Sequence, residues 1–143
     1  QPLCGSIAKM VSIDDVAVRP ARALADEEEL SLGPHLVRWI DTPHLPHGWE
    51  CGHLFETTTK TLFCGDLFTQ GGHEHAPITS ADLLENSEAT RKVFEYYSRT
   101  ERVHEFSEKL AATSPEVLAC MHGSAWRGDG ADLLRQLAGR LST

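Results

Sequence analysis

A chain of 143 residues has room for one domain and one hydrophobic core. Hydrophobic residues at 41% and charged ones at 24% describe a soluble globular chain, and no apolar run approaches the ~20 residues of a membrane span. Lys and Arg number 13 against 21 Asp and Glu, a net charge of −8 with no basic patch, which argues against nucleic acid and anionic membranes as partners.

In chain order, Pro2-Leu3-Cys4-Gly5 reads as the tail of a strand. A short helix follows from Ser6 to about Ser12, with Ser6 as N-cap and Ile7, Met10 and Val11 on one face. Asp14 to Asp26 lacks periodicity and contains Arg19-Pro20, so it reads as connection, and the acidic run Asp26–Glu29 as a solvated loop or strand entry. Leu30-Ser31-Leu32 and Leu36–Ile40 flank Gly33-Pro34, a turn that predicts a hairpin. Glu50–Glu56 and Thr61–Cys64 predict a second hairpin.

Leu67 to Thr79 is a Gly- and His-rich loop, in which His73 and His75 read as solvated. Helical territory opens at Thr79-Ser80, and Val103, Phe106 and Leu110 form one apolar stripe of an amphipathic helix that Ser114-Pro115 ends. Val117–Met121 is a short buried strand leading to His122. Asp129 can cap a last helix whose buried face is Leu133, Leu134, Leu137 and Leu141. Strands first, then helices, then a strand and a helix predict an α/β fold, a mixed sheet with helices on one face.

Cys4, Cys51, Cys64 and Cys120 are scattered without a C-x-x-C pair, each in or beside an apolar segment. They read as small hydrophobes and reduced thiols, the pattern of a cytoplasmic protein. The chain opens at Gln1 without a Met, so a processed or partial chain is the expectation.

Chemistry concentrates in Asp41 to Gln70. His44 and His47 follow the apolar run that ends at Thr42-Pro43, and Gly65-Asp66 ends the second hairpin. Alone, a histidine in a turn is more often surface than ligand, and Gly-Asp after a strand is more often an ordinary turn. Together with His122-Gly123 closing the last strand, three strand ends deliver His, Asp and His, a ligand set for zinc or non-haem iron.

Thr42-Pro43-His44-Leu45-Pro46, Cys64-Gly65-Asp66-Leu67-Phe68 and Met121-His122-Gly123 resemble the second half of the metallo-β-lactamase fold. The resemblance covers roughly Leu30 to Leu141. It implies half of an αββα sandwich, with His44, Asp66 and His122 as metal ligands and Asp66 bridging two ions. His47 and Ser124 become candidates for supporting or substrate-facing roles. The leading His-x-His-x-Asp-His motif of that superfamily does not occur. His73-Glu74-His75 mimics its start, but Ala76-Pro77 follows, and it lies after Asp66. Residues 1–143 therefore read as the C-terminal part of such a domain, expected to hold metal weakly by itself.

Two chemistries compete under that resemblance. Hydrolysis of a small-molecule substrate by zinc-bound hydroxide ranks first, because it dominates the superfamily. The alternative is a di-iron protein that binds or reduces oxygen or nitric oxide. Pro43 directly before His44, and the run Asp66-Leu67-Phe68-Thr69-Gln70, resemble the di-iron group. A third reading is a metal-free half-domain without activity. The half-sandwich also implies an uncovered apolar sheet face, and so a homodimer or association with the other half of the domain.

Overall fold

The computed structural model describes residues 1–142. Seven strands form one mixed sheet in the order β3-β4-β5-β6-β8-β9-β7: β3 (Glu29–Leu32), β4 (His35–Asp41), β5 (Gly52–Glu56), β6 (Thr61–Gly65), β7 (Ile78–Thr79), β8 (Val117–Cys120) and β9 (Ala125–Arg127). A separate parallel pair joins β1 (Leu3–Gly5) to β2 (Arg22–Leu24). Three longer helices complete the chain: α3 (Leu84–Phe94), α4 (Val103–Ala111) and α5 (Gly130–Leu141).

The two expected hairpins are present. β3 and β4 pair antiparallel, with Leu32 opposite His35, around a turn in which Gly33 takes φ 77°. That left-handed conformation suits a residue without Cβ. β5 and β6 pair antiparallel with Leu54 opposite Phe63. Their turn is held by Glu56, whose carboxylate accepts from the backbone N–H of Thr58 at 2.9 Å, that of Thr59 at 2.7 Å, and the Thr59 hydroxyl. The hydroxyl bond is the chief reason the carboxyl is pulled down to about 2.

Alternation sets the core. Phe55, Leu62 and Leu118 are laterally paired and fully or nearly buried, and they face the helices. α4 supplies Val103, Phe106 and Leu110, the predicted stripe, and α5 supplies Leu133, Leu134, Leu137 and Leu141. Asp129 caps α5 as expected, its side chain accepting from Asp132 N at 3.0 Å. Burying a side chain of this kind stabilises by roughly 1.5–3 kcal/mol, so these two helices and the sheet are held together through one core.

The N-terminal segment differs from expectation. Helical structure runs through α1 (Ser6–Ala8), a π-helical stretch Lys9–Ile13 and α2 (Asp14–Val16), past the predicted end at Ser12. Ser6 is not the N-cap: Gly5 holds that position, and the Ser6 hydroxyl donates to Leu24 O at 3.1 Å. β2 lies inside the stretch read as connection, and β7 and β9 also went unpredicted. Each has only two or three residues, too few to carry a period. The acidic run is paired as well as exposed, with Asp26 to Lys109, Glu28 to Arg22 and Glu29 to Arg38.

The sheet face away from α4 and α5 is partly covered. Leu3, Cys4 and Leu24 share a hollow with Val37, Trp39 and Leu54, and Val37 is buried there. Phe63, on the same face two strands over, stays 47% exposed. No helix among the described residues is long and apolar enough to cross a membrane.

Candidate metal centre

Strand direction brings the polar strand ends together. β4 is antiparallel to β5, β5 is antiparallel to β6, and β6 is parallel to β8. β4, β6 and β8 therefore run the same way, and their C-terminal ends share one edge. From that edge leave the turn with His44 and His47, the turn with Asp66, and the loop with His122.

Asp66 is the meeting point. His47 Nε2 lies 2.8 Å from Asp66 Oδ2, and His122 Nε2 lies 3.3 Å from Asp66 Oδ1. Each carboxylate oxygen faces a different imidazole. Asp66 Oδ1 is buried without a hydrogen-bond partner, because the His122 contact lacks hydrogen-bond geometry. A buried carboxylate oxygen left unpaired is costly, and a cation between it and the imidazole nitrogens would satisfy it. Two imidazoles and a carboxylate fit zinc or iron chemically. Among the described residues, no group of three or more His, Cys, Asp or Glu is arranged to enclose an ion.

His44 stands apart from this group. Its backbone takes φ 68°, and its N–H donates to Gly48 O at 2.7 Å. Its ring Nδ1 lies 3.5 Å from the Ser98 hydroxyl, in a hollow shared with Arg99, Glu101 and Arg102. The turn that carries His47 is organised by the Leu45 carbonyl. It accepts from the Thr42 hydroxyl at 3.0 Å and the Cys51 thiol at 2.8 Å, and the His53 ring Nε2 lies 3.2 Å away. Leu45 itself is 1% exposed. A core side chain with three groups on its carbonyl fixes the next residues in space, and His47 falls over Asp66.

His53, inside the core at 2% exposure, sits between two carbonyls, Phe63 O at 3.3 Å from Nδ1 and Leu45 O at 3.2 Å from Nε2. Burial pushes its pKa down, against the opposing pull of those carbonyls.

The two loops from β6 and β8 are clamped to each other by Gln70, which the sequence marks only as the end of the Asp66–Gln70 run. Gln70 Nε2 donates to Phe68 O at 3.3 Å and Ser124 O at 3.1 Å, while Gln70 Oε1 accepts from Ser124 N at 3.1 Å. Gln70 N donates to His122 O at 3.1 Å. Gly123 lets this happen: a Cβ there would lie 2.6 Å from Gln70 Cβ, and its φ is 97°. The Ser124 hydroxyl donates to Ala76 O at 2.7 Å, away from the imidazoles, so its contribution is to the loop backbone. His73 is exposed, and His75 Nε2 lies 3.1 Å from Gly71 O, within its own loop.

A cleft of about 640 Å³ opens beside Asp66 and His122, walled by Gln70, Thr90, Tyr96 and Met121. The Tyr96 ring packs on Tyr97 at 4.6 Å between centroids, and both hydroxyls are buried without a well-formed hydrogen bond. Burial pushes the Tyr97 hydroxyl pKa up, with the neighbouring Tyr96 adding to it. Phe94 and Met121 are both exposed at the cleft's mouth, an apolar rim around a polar floor.

No family model and no curated sequence matches the chain. Solved structures do match its fold. A flavo di-iron protein variant from Thermotoga maritima superposes with a TM-score of 0.79 at 17% identity, over 97% of this chain and 35% of that one. The rubredoxin oxygen:oxidoreductase of Desulfovibrio gigas gives 0.75 at 22%, over 96% of this chain and 36% of that one. A chemotaxis sensor, ODP, described as a peroxy di-iron species, gives 0.75 at 18%, over 96% and 59%. The chain thus spans about a third of the flavo di-iron protein and of the oxygen:oxidoreductase, and over half of the sensor. Flavo di-iron proteins contain a metallo-β-lactamase-like domain, and this chain has the fold of a metallo-β-lactamase-like half-domain.

Proposed function

We propose that this chain supplies His47, Asp66 and His122 to a di-iron centre that binds or reduces dioxygen or nitric oxide. The observation that carries the reading is Asp66. Its two oxygens face two different imidazoles, and one of them is buried with no hydrogen-bond partner. A carboxylate shared within a metal centre would need an oxygen available on each side. The fold shared with di-iron proteins supports iron over zinc.

In this reading His47 and His122 would offer imidazole nitrogens to the metal, and Asp66 would offer a carboxylate oxygen on each side. Gln70 and Gly123 hold the Asp66 and His122 loops in register. The remaining ligands of a two-metal centre would come from protein outside these residues. Bound iron would supply electron transfer to the small gaseous substrate. The chain's own part is to line the approach: Phe94, Tyr96 and Met121 give the cleft beside Asp66 and His122 an apolar and aromatic wall.

Hydrolysis by zinc-bound hydroxide, ranked first on sequence, gains no support from the neighbours, which are di-iron proteins and an oxygen:oxidoreductase. One experiment separates the two. The chain is loaded anaerobically with ferrous iron and titrated with nitric oxide under EPR, and in parallel loaded with zinc and offered ester, lactone and phosphoester substrates. The proposal expects a saturable spectral change with nitric oxide, lost in Asp66→Ala, and no turnover by the zinc form. Turnover by the zinc form that is lost in Asp66→Ala, with no response to nitric oxide, would reverse the assignment.

A further inference from the structure

We propose that Cys64 and Cys120 form a redox-modification site, a dithiol that a hydroperoxide closes to a disulfide beneath the loops carrying Asp66 and His122. β6 and β8 are neighbouring parallel strands, with Phe63 opposite Ala119 and then Gly65 opposite Cys120. The register shift leaves Cys64 as the additional residue beside Cys120. Each thiol donates to a carbonyl two residues back on its own strand, Cys64 to Leu62 O at 3.5 Å and Cys120 to Leu118 O at 3.8 Å, and Leu62 and Leu118 are themselves register partners. Cys64 is fully buried in the helix-side core, and Cys120 packs against the same cluster. Adjacent strands lie about 4.8 Å apart, inside the roughly 4.4–6.8 Å between Cα atoms that a disulfide spans. A cross-link here therefore needs no new approach of the backbones.

The other two cysteines have different surroundings. Cys4 is on β1, outside the main sheet, and Cys51 donates its thiol hydrogen to Leu45 O at 2.8 Å. Neither has a second thiol beside it among the contacts described. Cys120 is the accessible member of its pair, half-buried where Cys64 is closed off, and it precedes Met121 on the cleft wall. Cys64 lies two residues before Asp66 and Cys120 two before His122, so a bond between them ties together the roots of both ligand loops.

The chemistry balances with a hydroperoxide as the oxidant. The Cys120 sulfur attacks the terminal peroxide oxygen, the O–O bond breaks, an alcohol leaves (water, when the oxidant is hydrogen peroxide), and Cys120 becomes a sulfenic acid. The Cys64 sulfur then attacks the Cys120 sulfur, the S–O bond breaks, and water leaves with the Cys64 proton. Two thiols are oxidised by two electrons in all, and one peroxide is reduced. No iron is needed, so the site stands whether or not the di-iron reading does.

Trypsin places the four cysteines in four different peptides, so the product can be mapped directly. The purified chain is treated with one equivalent of hydrogen peroxide, denatured, alkylated, digested and analysed without reduction. The expected result is a cross-linked pair of the Cys64 and Cys120 peptides, lighter by two hydrogens than the separate thiols, with Cys4 and Cys51 fully alkylated. Cys64→Ala should leave Cys120 as a sulfenic or sulfinic acid, and Cys120→Ala should leave Cys64 reduced. The wild-type map decides even if a variant fails to fold. Oxidation of Cys4 or Cys51 ahead of this pair, alkylation of both members, or disulfides only between chains would overturn the proposal.

Discussion

His47 Nε2 sits 2.8 Å from Asp66 Oδ2 across 19 residues of sequence, while His44 lies against Ser98 on another wall. That relationship places His47, of the two histidines in the Pro43–His47 turn, against Asp66. It also gives Asp66 an imidazole on each oxygen, which the proposed sharing within a metal centre requires.

Gly123→Ala tests the clamp between the loops. The added Cβ would meet Gln70 at 2.6 Å, and the backbone is held at φ 97°, so both sterics and conformation oppose it. Overpacking and strain of this kind cost about 1–3 kcal/mol each. Chemical denaturation should show a loss of that order, together with weaker metal binding, because Gln70 holds the His122 loop. Unchanged stability with unchanged metal binding would remove Gln70 from the account of the site.

Tyr96→Phe tests the buried hydroxyl behind the cleft wall. A buried hydroxyl without a partner costs about 1–3 kcal/mol, and Phe keeps the ring packing on Tyr97 at 4.6 Å. The metal-free chain should therefore be as stable as the wild type or more so in thermal unfolding. A clear destabilisation would show that the hydroxyl has a partner after all.

His53 predicts a pH dependence of stability. Its folded pKa is lowered from 6.5, chiefly by burial. The unfolded chain then binds more protons than the folded one at acidic pH, so stability rises with pH. The stabilisation is complete above 6.5 and is lost as pH falls from there through the lower folded value. The slope cannot exceed about 1.4 kcal/mol per pH unit for one proton. Urea melts across that window should show the slope, and His53→Gln should flatten it. An equal slope in the variant would place the effect on another group.

Where periodicity or turn chemistry carried the information, the fold was legible in the sequence. The β3–β4 and β5–β6 hairpins, the Val103-Phe106-Leu110 stripe and the Asp129 cap all follow from local pattern. The convergence on one edge followed too, since it depends only on strand direction. Which of His44 and His47 lies against Asp66 did not. That is set by the turn's conformation and by what converges on the Leu45 carbonyl, and neither has a period. Gln70 was hidden for the same reason, because its partners lie 54 residues away at Ser124. The β1–β2 pair formed where no sequence period marked a second strand.

The ligand assignment is tested most directly by titrating the anaerobic chain with cobalt(II), a visible stand-in for iron, in four single variants. The expected result is one saturable site in the wild type. His47→Ala, Asp66→Ala and His122→Ala should each weaken it by more than the roughly 10- to 100-fold that loss of a supporting partner costs. His44→Ala should change it less than about tenfold, at the low end of that range. Binding abolished by His44→Ala but retained in His47→Ala would contradict the centre described, and would return the ligand role to His44.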